Sequence, residues 1–207
     1  MAVYHGPRCR QCRREGVKLM LKGERCKTEK CAVERRPYPP GMRMTKRRRA
    51  TSEYNAQLRE KQKIRRIYGI LEQQFHGYFK KAAQSHGVTG ENLLRMLEMR
   101  IDNVVYRLGF APSRSAARLL VLHNHFHINN KNVNVPSRLV KQGDVVSVRE
   151  KSKALEVIHS ALKNAKDIPE WLSVDKVQLS GTVVREPARA DMPSDMQEQL
   201  VVELYSK

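Results

Sequence analysis

Four cysteines spaced Cys9-x2-Cys12-x13-Cys26-x4-Cys31 sit inside the most basic stretch of this chain, and no other feature restricts its fold so strongly. The first 50 residues hold 16 Lys/Arg against 4 Asp/Glu, so +12 of the total net charge of +19 surrounds the sulfurs. A Cys-x2-Cys pair can close a tight loop with both sulfurs on one ion, and the longer gap suits a zinc ribbon. Four thiolates on one divalent ion leave a local charge of about −2, which the neighbouring Arg and Lys offset. No His or carboxylate completes an open coordination position. Cys9, Cys12, Cys26 and Cys31 are therefore expected to form a structural site that folds a segment with almost no apolar core of its own. Zinc is the expected ion; an iron–sulfur cluster also takes four thiolates and stays open at this point.

A chain of 207 residues with 40% apolar side chains can form one or two domains with a modest core. Its pI near 10.1 is another matter. Self-repulsion on that scale destabilises an isolated domain, so a polyanionic partner is the natural explanation. The N-terminus, MAVYHGPRCR, has no apolar signal region, and no stretch is long and apolar enough to span a membrane. The cytosol is the expected compartment, where grouped thiols bind metal more often than they form disulfides.

Residues 1–50 lack sustained periodicity, and Pro37, Pro39, Pro40 and Gly41 place a turn before the basic run Arg43 to Arg49. Thr51 or Ser52 can cap a helix carrying Leu58, Ile64 and Ile67, which Gly69 separates from a second helix with Leu71, Phe75 and Phe79. Leu94, Leu97, Ile101, Val104, Val105 and Leu108 predict one continuous helix ending at Gly109, and Ser113 caps the next, Arg114 to His123. Strands are expected at Phe126–Ile128, Val133–Val135 and Val145–Val148. A helix with Leu155, Ile158 and Leu162 follows, then a hairpin turning at Ser180-Gly181. A short C-terminal helix is expected with Ser194 and Gln197 in capping-box register. The class is α+β: a helical domain with a metal-held basic N-terminal segment, plus a small αβ unit.

The cations with the strongest pattern are Arg8, Arg10, Arg13 and Arg14, then Arg35 and Arg36, then Arg43 and Lys46, Arg47, Arg48 and Arg49. Lys61, Lys63, Arg65 and Arg66 follow on the first helix, with Tyr54 and Tyr68 nearby. Matching acids are scarce, which favours phosphate contact over a solvated charged face. Arg107, Ser113, Arg114, Arg118, His123 and Lys131 lie along the edge of the αβ unit. Read alone, Leu94 to Asn124 could be a helix-turn-helix aimed at a DNA major groove, as in a zinc-containing transcriptional repressor. The strands and Asn-rich turns that follow argue against that.

The string Arg100-Ile-Asp-Asn-Val-Val-Tyr-Arg-Leu-Gly-Phe110, then Ser113-Arg114 and Arg118, His123-x-His125-x3-Asn129 and Gly143-Asp144, closely resembles the S-four RNA-binding domain. Gln57 to Gly69 and the closing Val202-Glu-Leu-Tyr-Ser-Lys207 extend the likeness over essentially the whole chain, to the S-four family of bacterial small-subunit ribosomal proteins. The four-cysteine N-terminus resembles that family's metal-bearing branch. The resemblance implies a primary binder of a multi-helix junction in the 5′ domain of small-subunit rRNA. It also implies early assembly, a place where mRNA enters the ribosome, neighbours that are small-subunit proteins three and five, and a part in decoding accuracy. Arg43 and Lys46 to Arg49 would then be the channel cations, while the first helix and the Ser113/Arg114/Arg118 edge clamp the junction. The implied domains are residues 1–45, metal-binding; 46–93, helical and completed by 185–207; and 94–184, the S-four unit with its following helix and hairpin. The family's usual Gly is replaced by Asn124 and Asn130, and its Gly-Gln-His-Gly by Gly41-Met-Arg-Met44. Asn is the side chain that best tolerates positive φ, so both turns are expected to survive.

His123, His125 and His127 would share one strand face, which reads as a polar edge near RNA rather than a second metal site. Ser113, Asp102 and His123 could be drawn as a triad, but Ser113 is explained as a helix cap and nothing supplies a nucleophile elbow. No catalytic domain is left over, and no enzyme is expected.

Overall fold

Pro7 and Gly16 frame the first helix, α1 (Arg8–Glu15); Gly16, at φ 76°, returns its N–H to the Cys12 carbonyl. The computed structural model describes residues 3–41, 52–165 and 167–206. Arg43, Lys46, Arg47, Arg48 and Arg49, with the Thr51 cap, lie outside that range. After α1 come a 3-10 turn, Gly23–Cys26, and the four-residue α2 (Ala32–Arg35). Periodicity gives no sign of these short helices, because Cys12 is the only buried residue on α1 and α2 has none. Helix α3 (Glu53–Ile67) starts on Ser52, whose hydroxyl accepts the Asn55 N–H at 3.3 Å. Gly69, at φ 65°, divides it from α4 (Glu72–Gln84).

The apolar period from Leu94 to Leu108 does not make one helix. The chain forms α5 (Thr89–Glu98) and α6 (Ile101–Arg107), broken at Met99-Arg100. Arg100 is extended (φ −69°, ψ 138°) and bridges Leu139, while Ile101 N–H donates to the Arg138 carbonyl and Val140 N–H to that of Met99. The break survives burial because Arg100 forms a bidentate pair with Asp102, at 3.0 and 2.6 Å. Both helices keep their apolar residues on the core side, so the spacing alone cannot reveal the interruption. Ser113 caps α7 (Arg114–Leu122), accepting the Ala116 N–H at 3.3 Å.

Strands β1 (Phe126–Ile128), β2 (Lys131–Val133) and β3 (Val145–Val148) follow, then α8 (Glu156–Asn164), β4 (Leu172–Asp175) and β5 (Ser180–Val183). They form an antiparallel sheet in the order β2-β1-β3-β5-β4. Asn124 and Asn130 adopt φ of 61° and 63°, so both turns take the left-handed conformation that Gly usually supplies. Strand β2 begins two residues before the expected span, because the Asn129-Asn130 turn is tight enough to pair Ile128 with Lys131. Ser180 and Gly181 lie inside β5 and do not make the turn. The hairpin turns instead over residues 176–179, where Asp175 Oδ1 accepts the N–H groups of Val177 and Gln178. Gly181 serves close packing, since a Cβ there would run into the Leu108 side chain. The inner sheet face, with Phe126, Ile128, Val146, Val148 and Val183, packs on Val104, Leu108, Val121, Ile158 and Trp171. The outer face carries a row set opposite one another by register: Asn132, His127, Ser147, Ser180 and Asp175.

The last helix, α9 (Glu198–Tyr205), packs along α3. The expected Ser194–Gln197 capping box does not form; Gln197 N–H donates instead to Glu60 on α3, at 2.9 Å. The chain thus divides into two compact units, Met1–Leu93 with Ser194–Lys207, and Leu94–Pro193.

Candidate nucleic-acid interface

In the first unit α1 and the two turns after it bring four sulfurs to one cavity, lined by Cys9, Cys12, Cys26 and Cys31 with Lys22, Arg25 and Lys30. Cys12, Cys26 and Cys31 are buried and none of the four is in a disulfide. The space between them is about 20 Å³, room for one water-sized body. Among the described residues no group of three or more His, Cys, Asp or Glu is drawn tightly enough to hold an ion. The donor set nevertheless fits a soft divalent metal. Lys22 N–H points at Cys26 Sγ from 3.4 Å, as it would toward a thiolate ligand. Burial pushes the Cys12 thiol up, against a Leu19 backbone hydrogen bond and with help from the other three sulfurs. A cation in the cavity would reverse that balance. Lys22, Arg25 and Lys30 were not among the expected site residues. Their place in the loops between the cysteines is the signal that could have found them.

The cations of the first unit divide sharply. Arg10, Arg14, Arg35 and Arg36 are exposed and Arg8 is half-buried. Arg13 instead holds the fold: its Nε donates to the carbonyls of Arg36 and Tyr38 at 3.2 and 3.0 Å, and its guanidinium lies over the Tyr38 ring. On α3, Lys61 is buried against Glu72 at 2.7 Å and faces the Tyr205 ring. Lys63 reaches Glu60 and the Asp195 carbonyl, Arg65 pairs with Gln62 and Glu72, and Arg66 with Arg59 clasps Glu15. Burial pushes the Glu15 carboxyl up in spite of those two guanidinium groups. Tyr68 lies in the core, whereas Tyr54 is exposed. Acids are scarce in the sequence, yet Glu15, Glu60 and Glu72 are spent on this one helix, a pairing that only tertiary contact reveals.

In the second unit the break between α5 and α6 builds a polar network. Buried Glu98 accepts from Arg107 Nε and Nη2 at 3.0 and 2.7 Å, and from the Asn103 amide at 2.7 Å. Asn103 in turn accepts from Arg114 Nε at 2.8 Å, and the Arg114 guanidinium lies 4.6 Å from the centre of the Tyr106 ring. Arg118 is buried, Ser113 is occupied as the helix cap, and His123 and Lys131 are exposed. His125 Nδ1 lies 2.8 Å from the Ser152 hydroxyl; burial, with His123 and Arg149, holds this imidazole below its usual value. His127 meets Asn132 at 2.8 Å. His123 and His125 have ring centres 6.2 Å apart, but only His127 lies on a strand, His123 ending α7, so the expected shared strand face does not form. Glu98, Asn103 and Tyr106 escaped the sequence reading because two buried polar residues and a ring announce nothing until they share a corner. The exposed side of α7 carries Leu119 and Leu122.

A cationic surface over an αβ core with short strands and tight Asn turns fits the class of nucleic-acid binders. Two family descriptions account for the architecture: "Ribosomal protein S4/S9 N-terminal domain" matches residues 3–98 and "S4 domain" matches residues 99–146. The chain is 57% identical to the small ribosomal subunit protein uS4 of Citrifermentans bemidjiense, over 100% of both chains. It is equally similar to that of Geobacter sp. strain M21, and 56% identical to that of Caldicellulosiruptor bescii, again over 100% of both chains. The chain belongs to the uS4 family.

Proposed function

We propose that the chain is a structural, non-catalytic constituent of the small ribosomal subunit in the cytoplasm. Its task is to bind a multi-helix junction in the 5′ domain of small-subunit rRNA and to nucleate assembly there. The carrying observation is likeness over the full length of both chains to proteins named for that subunit. Recognition is by shape and phosphate, through the exposed Arg10, Arg14, Arg35 and Arg36 in one unit and the half-buried Arg114 and exposed Lys131 in the other, while Arg107, paired with Glu98, braces the fold. Arg13, Lys61, Lys63, Arg65 and Arg66 act mainly through the fold they brace. Arg43 and Lys46 to Arg49 are assigned to the channel through which mRNA enters, beside small-subunit proteins three and five, with a contribution to translational accuracy. The functional partition is residues 1–45, 46–93 with 185–207, and 94–184. Among the described residues no helix is long and apolar enough to cross a membrane.

Cys9, Cys12, Cys26 and Cys31 would hold zinc, which supplies no chemistry beyond cross-linking the segment and neutralising its thiolates. The DNA-binding repressor alternative finds no support in the full-length relatives.

A filter-binding competition at about 150 mM salt, near physiological ionic strength, tests the role. It compares the 5′-domain junction, a scrambled RNA of equal length and duplex DNA, with metal content measured on the same sample. A preference of several hundred-fold for the junction is expected. If six to ten phosphates are contacted, affinity falls about 10³- to 10⁵-fold between 50 and 200 mM salt. Equal binding to all three nucleic acids would overturn the assembly role.

A further inference from the structure

The polar corner between α5, α6 and α7 has a direction. Glu98 and Asn103 are almost wholly buried, at 0% and 1% exposure. The Asn103 amide nitrogen faces two acceptors, the Glu98 carboxylate at 2.7 Å and the Glu98 carbonyl at 2.9 Å. Its oxygen is thereby turned the other way, toward Arg114 Nε at 2.8 Å. A flipped amide would set oxygen against two acceptors and NH2 against a donor, so the network admits a single orientation. Arg114 is then held along one edge by Asn103 and on one face by the Tyr106 ring. The bond to Arg114 comes from a neutral amide, which orients the guanidinium and brings no charge of its own. A carboxylate at position 103 would orient it and neutralise it together. Arg107 shows that second arrangement, bidentate on the Glu98 carboxylate.

We propose that Glu98 and Asn103 are positioning residues: through the Asn103 amide oxygen they preset Arg114 as a planar guanidinium aimed at the phosphate backbone of folded RNA. The inference rests on the RNA-binding role given above. The ordering of a long side chain is met when the protein folds rather than when RNA arrives, which is the general benefit of preorganisation. A lysine at position 114 keeps the charge but has neither the Nε–H that Asn103 accepts nor a plane to lie on Tyr106.

The experiment uses the full-length protein and the 5′-domain junction RNA, with affinity measured across a salt series. Arg114→Lys, at a partly exposed position that leaves the core intact, should weaken binding about tenfold. Its slope of log affinity against log salt should match the wild type, because the number of neutralised phosphates is unchanged. Asn103→Ala should weaken binding to a similar degree. In an Arg114→Ala background, Asn103→Ala should cost less than about twofold more, since the group it positions is already gone. A purely structural role for Asn103 would instead persist in that background and overturn the inference. Wild-type affinity in Arg114→Lys would overturn it too, and needs no judgement about folding of the Asn103 variant. Failure of the wild-type protein to prefer the junction over scrambled RNA is a different result, which removes the RNA-binding role itself.

Discussion

The N-terminal segment around the cysteines and the αβ unit after Leu94 are held by different means. In residues 3–41 the buried side chains are few, chiefly Leu19, Pro39 and three of the cysteines, and the helices have eight and four residues. Helices that short are not stable alone in water. In the second unit one apolar cluster runs from Met99 to Val183, closing over Phe126 and Trp171, both 0% exposed. A segment with little to bury needs another constraint, and the zinc proposed on the four cysteines would supply it, whereas a unit with a continuous core can place charged groups inside it. Arg100–Asp102 and Glu98–Arg107 are such groups, affordable because each is fully matched.

The sharpest test of this contrast is Cys12→Ser or Cys31→Ser. Either change should unfold the segment to about residue 45, since metal binding and folding are one process in such segments, and leave the second unit intact. Limited proteolysis followed by mass mapping reads the result, and simultaneous loss of both regions would break the two-part picture. Chelation should act in the same way.

The reverse cut is Phe126→Ala. Removing a fully buried ring from the sheet's inner face should cost about 3–5 kcal/mol in chemical denaturation, with the cysteine segment still protected from proteolysis.

The smallest effect tests the C-terminal helix. Tyr205 donates to Glu72 Oε1 at 2.7 Å and packs on Phe79, with ring centres 4.6 Å apart. Burial pushes the phenol far above its usual value, and the bond to Glu72 adds to the rise. On Glu72, burial acts upward but the Lys61 and Tyr205 hydrogen bonds outweigh it and hold the carboxyl below its usual value. A carboxylate depressed in this way stabilises the fold above its unfolded value, and that contribution is lost as pH falls through the folded one. Tyr205→Phe should therefore cost about 0.5 kcal/mol at neutral pH, the low end for a hydrogen bond because Glu72 is part-exposed. The difference from wild type should shrink below about pH 4, where Glu72 is protonated in the unfolded chain. A difference that stays constant into acid would assign the bond no charge assistance.

Much of the architecture is legible from spacing. Ser52 and Ser113 cap helices as their positions suggest, and β1 and β3 match their expected bounds residue for residue. Asn124 and Asn130 take the positive φ that their turns require. The misses at β2 and at the hairpin after β4 have local causes, the tight Asn129-Asn130 turn and the Asp175 side chain; two others come from a long-range partner that outcompetes a local pattern. Glu60 replaces the Ser194 cap of α9, and the strand-like pairing of Met99, Arg100 and Ile101 with residues 138–140 interrupts a perfect helical period.

The cysteine spacing, the charge surplus and the periodic apolar residues are local properties of the chain, and they sufficed for the class, the family resemblance and most of the elements. Which cations face outward is not a local property. Lys61, Arg65 and Arg66 look no different in sequence from Arg10 or Arg35, and only folding brings Glu72 and Glu15 against them. The same holds for Arg114, whose orientation depends on an amide eleven residues earlier in the chain and on a glutamate buried behind it. A charge acts on a partner through distance and dielectric, and both are set by the tertiary structure.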